Sequence, residues 1–241
     1  MVLPRGQRAN VKNKIYLALR FPAVLPEGVF NYAVTSNHIH LLVRNSQGPE
    51  VIPRTIQLIA GRTGQEYNRR KKRKGAFWED RYHATVVETG EHLAQCTVYI
   101  DLNMARAGVV THPSEWPFAG YNEILKPRER YGLIDHSSLM EALDIGTMAE
   151  LASSYTGWVE ESLRERKEGY QPKWTTSIAV GSAAFVENIK TELGSKAIGR
   201  QVFTEDGTCQ LKEPDASYNA DFDGKNTGLR PDNTYFWNIY Y

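Results

Sequence analysis

Three observations on this 241-residue sequence predict an α+β fold, with a ferredoxin-like antiparallel sheet carrying helices on one face and a smaller C-terminal extension. Alternating or β-branched segments recur at residues 13–21, 29–43 and 83–89, and two stretches of helical periodicity are interleaved with them. The resulting order (strand, strand, helix, strand, helix) suits helices packed on a sheet. Beyond about residue 135 the pattern changes to helical segments followed by a hairpin signal, which divides the chain into residues 1–135 and an extension, 136–241.

NKIYLALRF (13–21) alternates Ile15, Leu17, Leu19 and Phe21, as a half-buried strand does. VFNYAV (29–34) and HIHLLVR (38–44), joined by a short polar link, read as an antiparallel hairpin. After the turn residues NSQGPE, Ile56, Ile59, Ala60, Thr63 and Tyr67 recur at three- and four-residue spacing, predicting an amphipathic helix over 54–70 that runs into the basic block NRRKKRK. HATVVET (83–89) is a further strand. Thr89 then stands as a cap before GEHLAQCTVYIDLNMARAG, and Gly108 supplies a stop, which predicts a helix from about 90 to 107. In the extension LMEALDI, ASSYTGWVEESLRER and GSAAFVENIKTELG read as helices. RQVFTEDGTCQLKE carries the Asp-Gly signature of a hairpin, and the aromatic segment KNTGLRPDNTYFWNIYY reads as packing of a small domain.

Composition narrows the class. The hydrophobic fraction of 41% and charged fraction of 24% are those of a globular chain. No apolar run approaches the ~20 residues that cross a bilayer, and MVLPRGQRANVK lacks the apolar core of a signal peptide, so no membrane partner and a cytoplasmic location are expected. Cys96 and Cys209 are too few for a disulfide framework and form no CxxC pair. The net charge of +1 conceals an uneven distribution: residues 54–81 hold nine basic residues against three acidic ones.

The residues with chemical potential lie on the hairpin and on the last helix. Alternation along a strand puts His38, His40 and Leu42 on one face, so two imidazoles project together, an arrangement that suits a divalent metal. On the helix, His92, Gln95, Tyr99, Asn103 and Arg106 form a polar stripe beside an apolar one of Leu93, Cys96, Ile100, Met104 and Ala107. With the apolar stripe docked on the sheet, the polar stripe borders the histidine face, where the Asn103 amide oxygen is a candidate third ligand and Tyr99 lies one turn away. Two imidazoles and one amide oxygen admit Mg²⁺ or Mn²⁺, and imidazole favours the softer ion.

TSNHIHLLVR, the basic helix, GAFWEDRYHATVVET, YIDLNMARAGVV and HPSEWPFAGY, in that order, resemble the HUH-endonuclease one-tyrosine transposases, specifically the REP-associated tyrosine transposase group, over roughly residues 29–125. The resemblance implies that residues 1–135 are the catalytic domain, that His38, His40 and Asn103 hold the metal, and that Tyr99 is the nucleophile. It implies cleavage and rejoining of single-stranded DNA near hairpins through a 5′-phosphotyrosine, by a homodimer. Arg69, Arg70, Lys71, Lys72, Arg73, Lys74 and Arg81 would then follow the DNA backbone, with Arg106 at the scissile phosphate and Trp78, Phe77 and Tyr82 as faces for unpaired bases. The sequence departs from that family in its short, dissimilar N-terminal segment and in Met104, which stands where proline commonly follows the asparagine and predicts a more regular helix. A second expectation is a non-cutting protein derived from such a transposase, which keeps hairpin binding alone.

Overall fold

The computed structural model describes residues 28–35, 38–45, 48–78, 82–165 and 169–213. The strand expected at 13–21, Arg81 and the aromatic segment after 224 lie outside these residues.

β1 (Val29–Val34) and β2 (Ile39–Val43) form the expected antiparallel hairpin, with Ala33 opposite His40 and Val34 opposite Ile39. Every residue of β1 is buried, which follows from helices lying against both of its faces. α1 (Val51–Lys71) covers one face, burying Ile59 and Tyr67 against Val34 and Phe77, with Ile39 and Leu41 packed on the same cluster. It ends where Lys72 turns left-handed, with φ of 48°.

α2 (Glu91–Asp101) lies against the other face, where Cys96, Tyr99 and Ile100 gather with Ala33. The α+β class is what the structure has, and within it the hairpin is covered on both faces rather than on one. The helix expected over 90–107 is interrupted at Leu102, after which α3 (Asn103–Arg106) adds one turn, so Met104 does not leave the helix regular. Its cap is Gly90, with φ of 74°, rather than Thr89. Gly108, with φ of 63°, takes the left-handed position predicted for the stop.

The segment HATVVET departs most from its expectation. Only Val86–Val87 (β3) is a strand, and it pairs in parallel with β4 (Ala179–Gly181) of the C-terminal half instead of extending the hairpin. The described strands therefore form two sheets, β1–β2 and a mixed sheet in the order β3-β4-β6-β5, where β5 is Gln201–Glu205 and β6 is Thr208–Lys212. The choice has local causes. Val86 and Glu88 donate their amides to the carbonyls of Ile178 and Val180 at 2.8 and 3.0 Å, and the Glu88 carboxylate accepts the Ser182 hydroxyl at 2.9 Å. Gly181 permits this approach, because a Cβ there would lie 2.7 Å from Glu88 Oε2.

The remaining helices are α4 (Tyr121–Leu125), α5 (His136–Leu143), α6 (Met148–Arg164), α7 (Lys173–Thr176) and α8 (Ala183–Leu193). Asp135, Thr147 and Ser182 cap α5, α6 and α8 through side-chain acceptors. α5 and α6 share the largest core with residues before 135: Leu139, Leu151 and Tyr155 pack with Phe30, Tyr32, Val98 and Leu102. The Asp-Gly hairpin stands between β5 and β6, with φ of 48° at Asp206 and 75° at Gly207, the geometry of a type I′ turn. Among the described residues no helix is long and apolar enough to cross a membrane.

Candidate functional site

Alternation along β2 decides where the histidines point. Leu42, on their side of the strand, packs on the cluster of Ala33, Tyr99, Ile100 and Met104, whereas Ile39 and Leu41 pack toward α1. His38 and His40 therefore share the α2 side of the hairpin. Their rings stack with centroids 6.2 Å apart and planes 19° from parallel. The His38 backbone is fixed by the turn, since Thr35 Oγ1 accepts its amide at 3.0 Å and donates to its carbonyl at 3.1 Å. Burial pulls the His38 pKa down; at His40 burial, then the neighbouring His38 and Arg106, lower it to about 4. Both imidazoles are accordingly neutral near pH 7, with ring nitrogens fit to ligate.

Of the polar stripe, His92, Gln95, Asn103 and Arg106 are half-buried and Tyr99 is buried. Tyr99 is only 5% exposed. The Arg106 guanidinium lies over its ring, 3.9 Å from the centroid, and donates to the Tyr99 carbonyl at 2.7 Å. The Trp174 ring stands 6.3 Å from it at 42°. Burial raises the phenol pKa, while Arg106 opposes the rise. Asn103 Nδ2 donates to the carbonyls of Tyr99 and Ile100 at 3.3 and 2.9 Å, so the side-chain atom with metal-ligand chemistry is Oδ1. Arg106 links the two halves: it acts on His40 electrostatically and touches Tyr99.

His38 and His40 bring two neutral imidazoles to one side of the hairpin, donors that suit a small divalent cation. Among the described residues no group of three or more His, Cys, Asp or Glu gathers as a metal site.

The basic candidates divide. Arg69 and Arg70 both pair with Glu66, Arg70 through Nε at 2.7 Å. Lys71, Lys72 and Lys74 are exposed. Arg73 lies over the Tyr67 ring at 5.5 Å and donates to the Ala76 carbonyl. Phe77 is buried in the α1 core and Trp78 is half-buried edge-on to it, its indole N–H donating to the Ala60 carbonyl at 3.0 Å. Tyr82 is the exposed aromatic of the three.

A cleft of about 840 Å³ borders Tyr99 and Arg106, and its further wall is made by Trp158, Tyr170, Lys173 and Gln210. His38, His40 and Asn103 are not in that wall. Trp174 and Lys173 have no local sequence signal toward Tyr99, because only the pairing of β3 with β4, more than 90 residues apart in the chain, brings them there.

Residues 28–103, which hold His38, His40, Tyr99 and Asn103, match the family model described as "Transposase IS200 like". That match covers under half of the chain; it supports a transposase family and, with it, DNA cleavage in general. Neither curated proteins nor solved structures gave a match.

Proposed function

We propose that this chain is a metal-dependent transposase of the REP-associated tyrosine group that nicks and rejoins single-stranded DNA near hairpins through a 5′-phosphotyrosine, with residues 1–135 as the catalytic part. The observation that carries the reading is the packing of the histidine face of β2 toward α2 and α3, which bear Tyr99 and then Asn103 and Arg106. Outside the hairpin, the exposed Lys71, Lys72 and Lys74 give a DNA backbone a cationic path.

The phenolic oxygen of Tyr99 forms a bond to phosphorus as the bond from phosphorus to the 3′ oxygen breaks. The phenolic proton passes to solvent, and the departing oxygen takes one up as a 3′-hydroxyl. Attack by a different 3′-hydroxyl reverses the step and frees the phenol, so no external energy source is needed. Held by His38, His40 and Asn103, Mg²⁺ or Mn²⁺ would supply Lewis-acid stabilisation of charge on the phosphate. Arg106 orients the phenol and supplies positive charge beside the developing charge. A homodimer and a cytoplasmic location complete the proposal, on the strength of the family resemblance.

The test is a fluorescent single-stranded oligonucleotide panel carrying hairpins, incubated with protein and Mn²⁺ and run on a denaturing gel. A covalent protein–DNA band that disappears in Tyr99→Phe is expected. Tight hairpin binding without such a band, across the panel and with either ion, would replace the enzyme by the non-cutting binder.

A further inference from the structure

The C-terminal half is joined to the segment just ahead of α2 by a continuous run of hydrogen bonds. Thr85 Oγ1 donates to the Ser177 carbonyl at 2.6 Å and to that of Trp174 at 3.4 Å, and the ring nitrogen Nε2 of His83 lies 3.0 Å from the Ser177 carbonyl. The β3–β4 ladder and the Glu88–Ser182 bond continue the seam. One consequence is the position of Trp174. It is 8% exposed and belongs to the same cluster as Ala33, Cys96, Tyr99 and Met104, and its ring lies 6.3 Å from that of Tyr99. Its own ring is held in turn, because Nε1 donates to Gln171 Oε1 at 2.8 Å and Lys173 Nζ lies 4.8 Å from its centroid.

We propose that Trp174, supplied by the C-terminal half, is a positioning residue for Tyr99. This rests on the reading of Tyr99 as nucleophile. In-line attack on phosphorus tolerates little displacement of the attacking oxygen, and a misplacement near 1 Å costs about a hundredfold in rate. A tyrosine ring turns about two side-chain torsions. Arg106 restrains it from the neighbouring turn, α3, and Trp174 adds a contact from a separate part of the chain, so that the ring keeps one orientation. The segment outside the family match thereby takes a part in the reaction without touching the phosphate.

The full-length chain and a hairpin oligonucleotide with Mn²⁺ test this in single turnover. Trp174→Ala is expected to slow covalent adduct formation about tenfold or more, leaving oligonucleotide Kd within about twofold. Trp174→Phe, which restores an aromatic contact, is expected to recover most of the rate. Val186→Ala loosens the core of the same C-terminal half without touching Tyr99 and is expected to lower Tm with the rate unchanged. A second readout needs no DNA: nitration of tyrosines by tetranitromethane, mapped by peptide mass spectrometry, is expected to rise at Tyr99 in Trp174→Ala but not at the fully buried Tyr32. The proposal is overturned if Trp174→Ala leaves the adduct rate or the nitration of Tyr99 unchanged, if it speeds the adduct, or if Val186→Ala slows the adduct equally. Should the unaltered chain form no adduct, the transposase reading fails, whereas the nitration comparison still decides whether Trp174 packs over Tyr99 in solution.

Discussion

Arg106 holds Tyr99 twice, with its guanidinium 3.9 Å from the ring centroid and Nη2 2.7 Å from the backbone carbonyl. The pair spans seven residues and crosses the break at Leu102, so the same contact that orients the phenol ties α3 to α2.

Removal of this arginine is therefore expected to act on rate more than on DNA affinity. A cation over an aromatic face contributes roughly 0.5–2 kcal/mol and a charged hydrogen bond about 1.5–3 kcal/mol. Arg106→Ala should slow adduct formation by roughly 10- to 100-fold, with oligonucleotide Kd weakened only about threefold. Lysine keeps the charge but not the planar fork, so Arg106→Lys should fall between the two. A Kd loss that accounts for the whole effect would instead make Arg106 a phosphate contact.

The Glu123 side chain is fully buried. Its carboxylate accepts the Tyr32 hydroxyl at 3.0 Å and the Ile134 amide at 2.8 Å, bonds the Leu133 amide, and pairs with Arg128 Nε at 3.1 Å. It thus fastens the 133–134 segment to β1. Glu123→Ala strands these donors in the core and should cost about 3–5 kcal/mol, read as a loss of about 10 °C in Tm. Arg128→Ala, at a partly exposed partner, should cost far less.

How much of this was legible follows the range of the interactions. Alternation in HIHLLVR placed the histidines correctly, since a strand's faces are local geometry, and Asp206-Gly207 announced its own turn. The periodicity of residues 54–70 found α1 and its buried Ile59, Thr63 and Tyr67. Spacing on α2 did not reveal how deeply Tyr99 lies, because Cys96 through Leu102 are all buried: α6 and the Trp174 segment, distant in sequence, help to cover them. HATVVET read correctly as β-prone, but its partner lies more than 90 residues away in β4, and no local pattern names a distant partner. Gly90 replaced Thr89 as cap because the chain enters α2 through a positive φ that threonine does not readily adopt.

The metal proposal makes a prediction separate from DNA chemistry. With both imidazoles neutral near pH 7, Mn²⁺ should bind the free chain, measured by loss of the free-ion EPR signal on titration. His38→Ala, His40→Ala and Asn103→Ala should each weaken binding by about tenfold or more, since each removes one ligand. Arg70→Ala, whose partner is Glu66 on α1, should not. Undiminished binding in both histidine variants would move the metal elsewhere, and chelation with EDTA should abolish the covalent adduct if the assignment holds.

Asp101 gives the fold a pH dependence of its own. It is 1% exposed and bonds the Tyr155 hydroxyl through Oδ2, and the Asn31 side chain and the Gly120 and Tyr121 amides also face its carboxyl group. Burial raises its pKa to about 7, against the opposing pull of the Tyr155 hydrogen bond. A carboxyl whose pKa is higher in the folded chain than in the unfolded one binds its proton more tightly when folded. Its contribution is complete below the ordinary carboxylate pKa near ~4 and is lost as pH rises through about 7. Urea unfolding at pH 5 and pH 8 should show the chain weaker at pH 8, by an amount of order a few kcal/mol from this group. Asp101→Asn cannot ionise and nearly preserves the shape, so it should flatten that slope and exceed the unaltered chain in stability at pH 8. An unchanged slope in Asp101→Asn would assign the pH dependence to other groups and leave Asp101 ionised in the core.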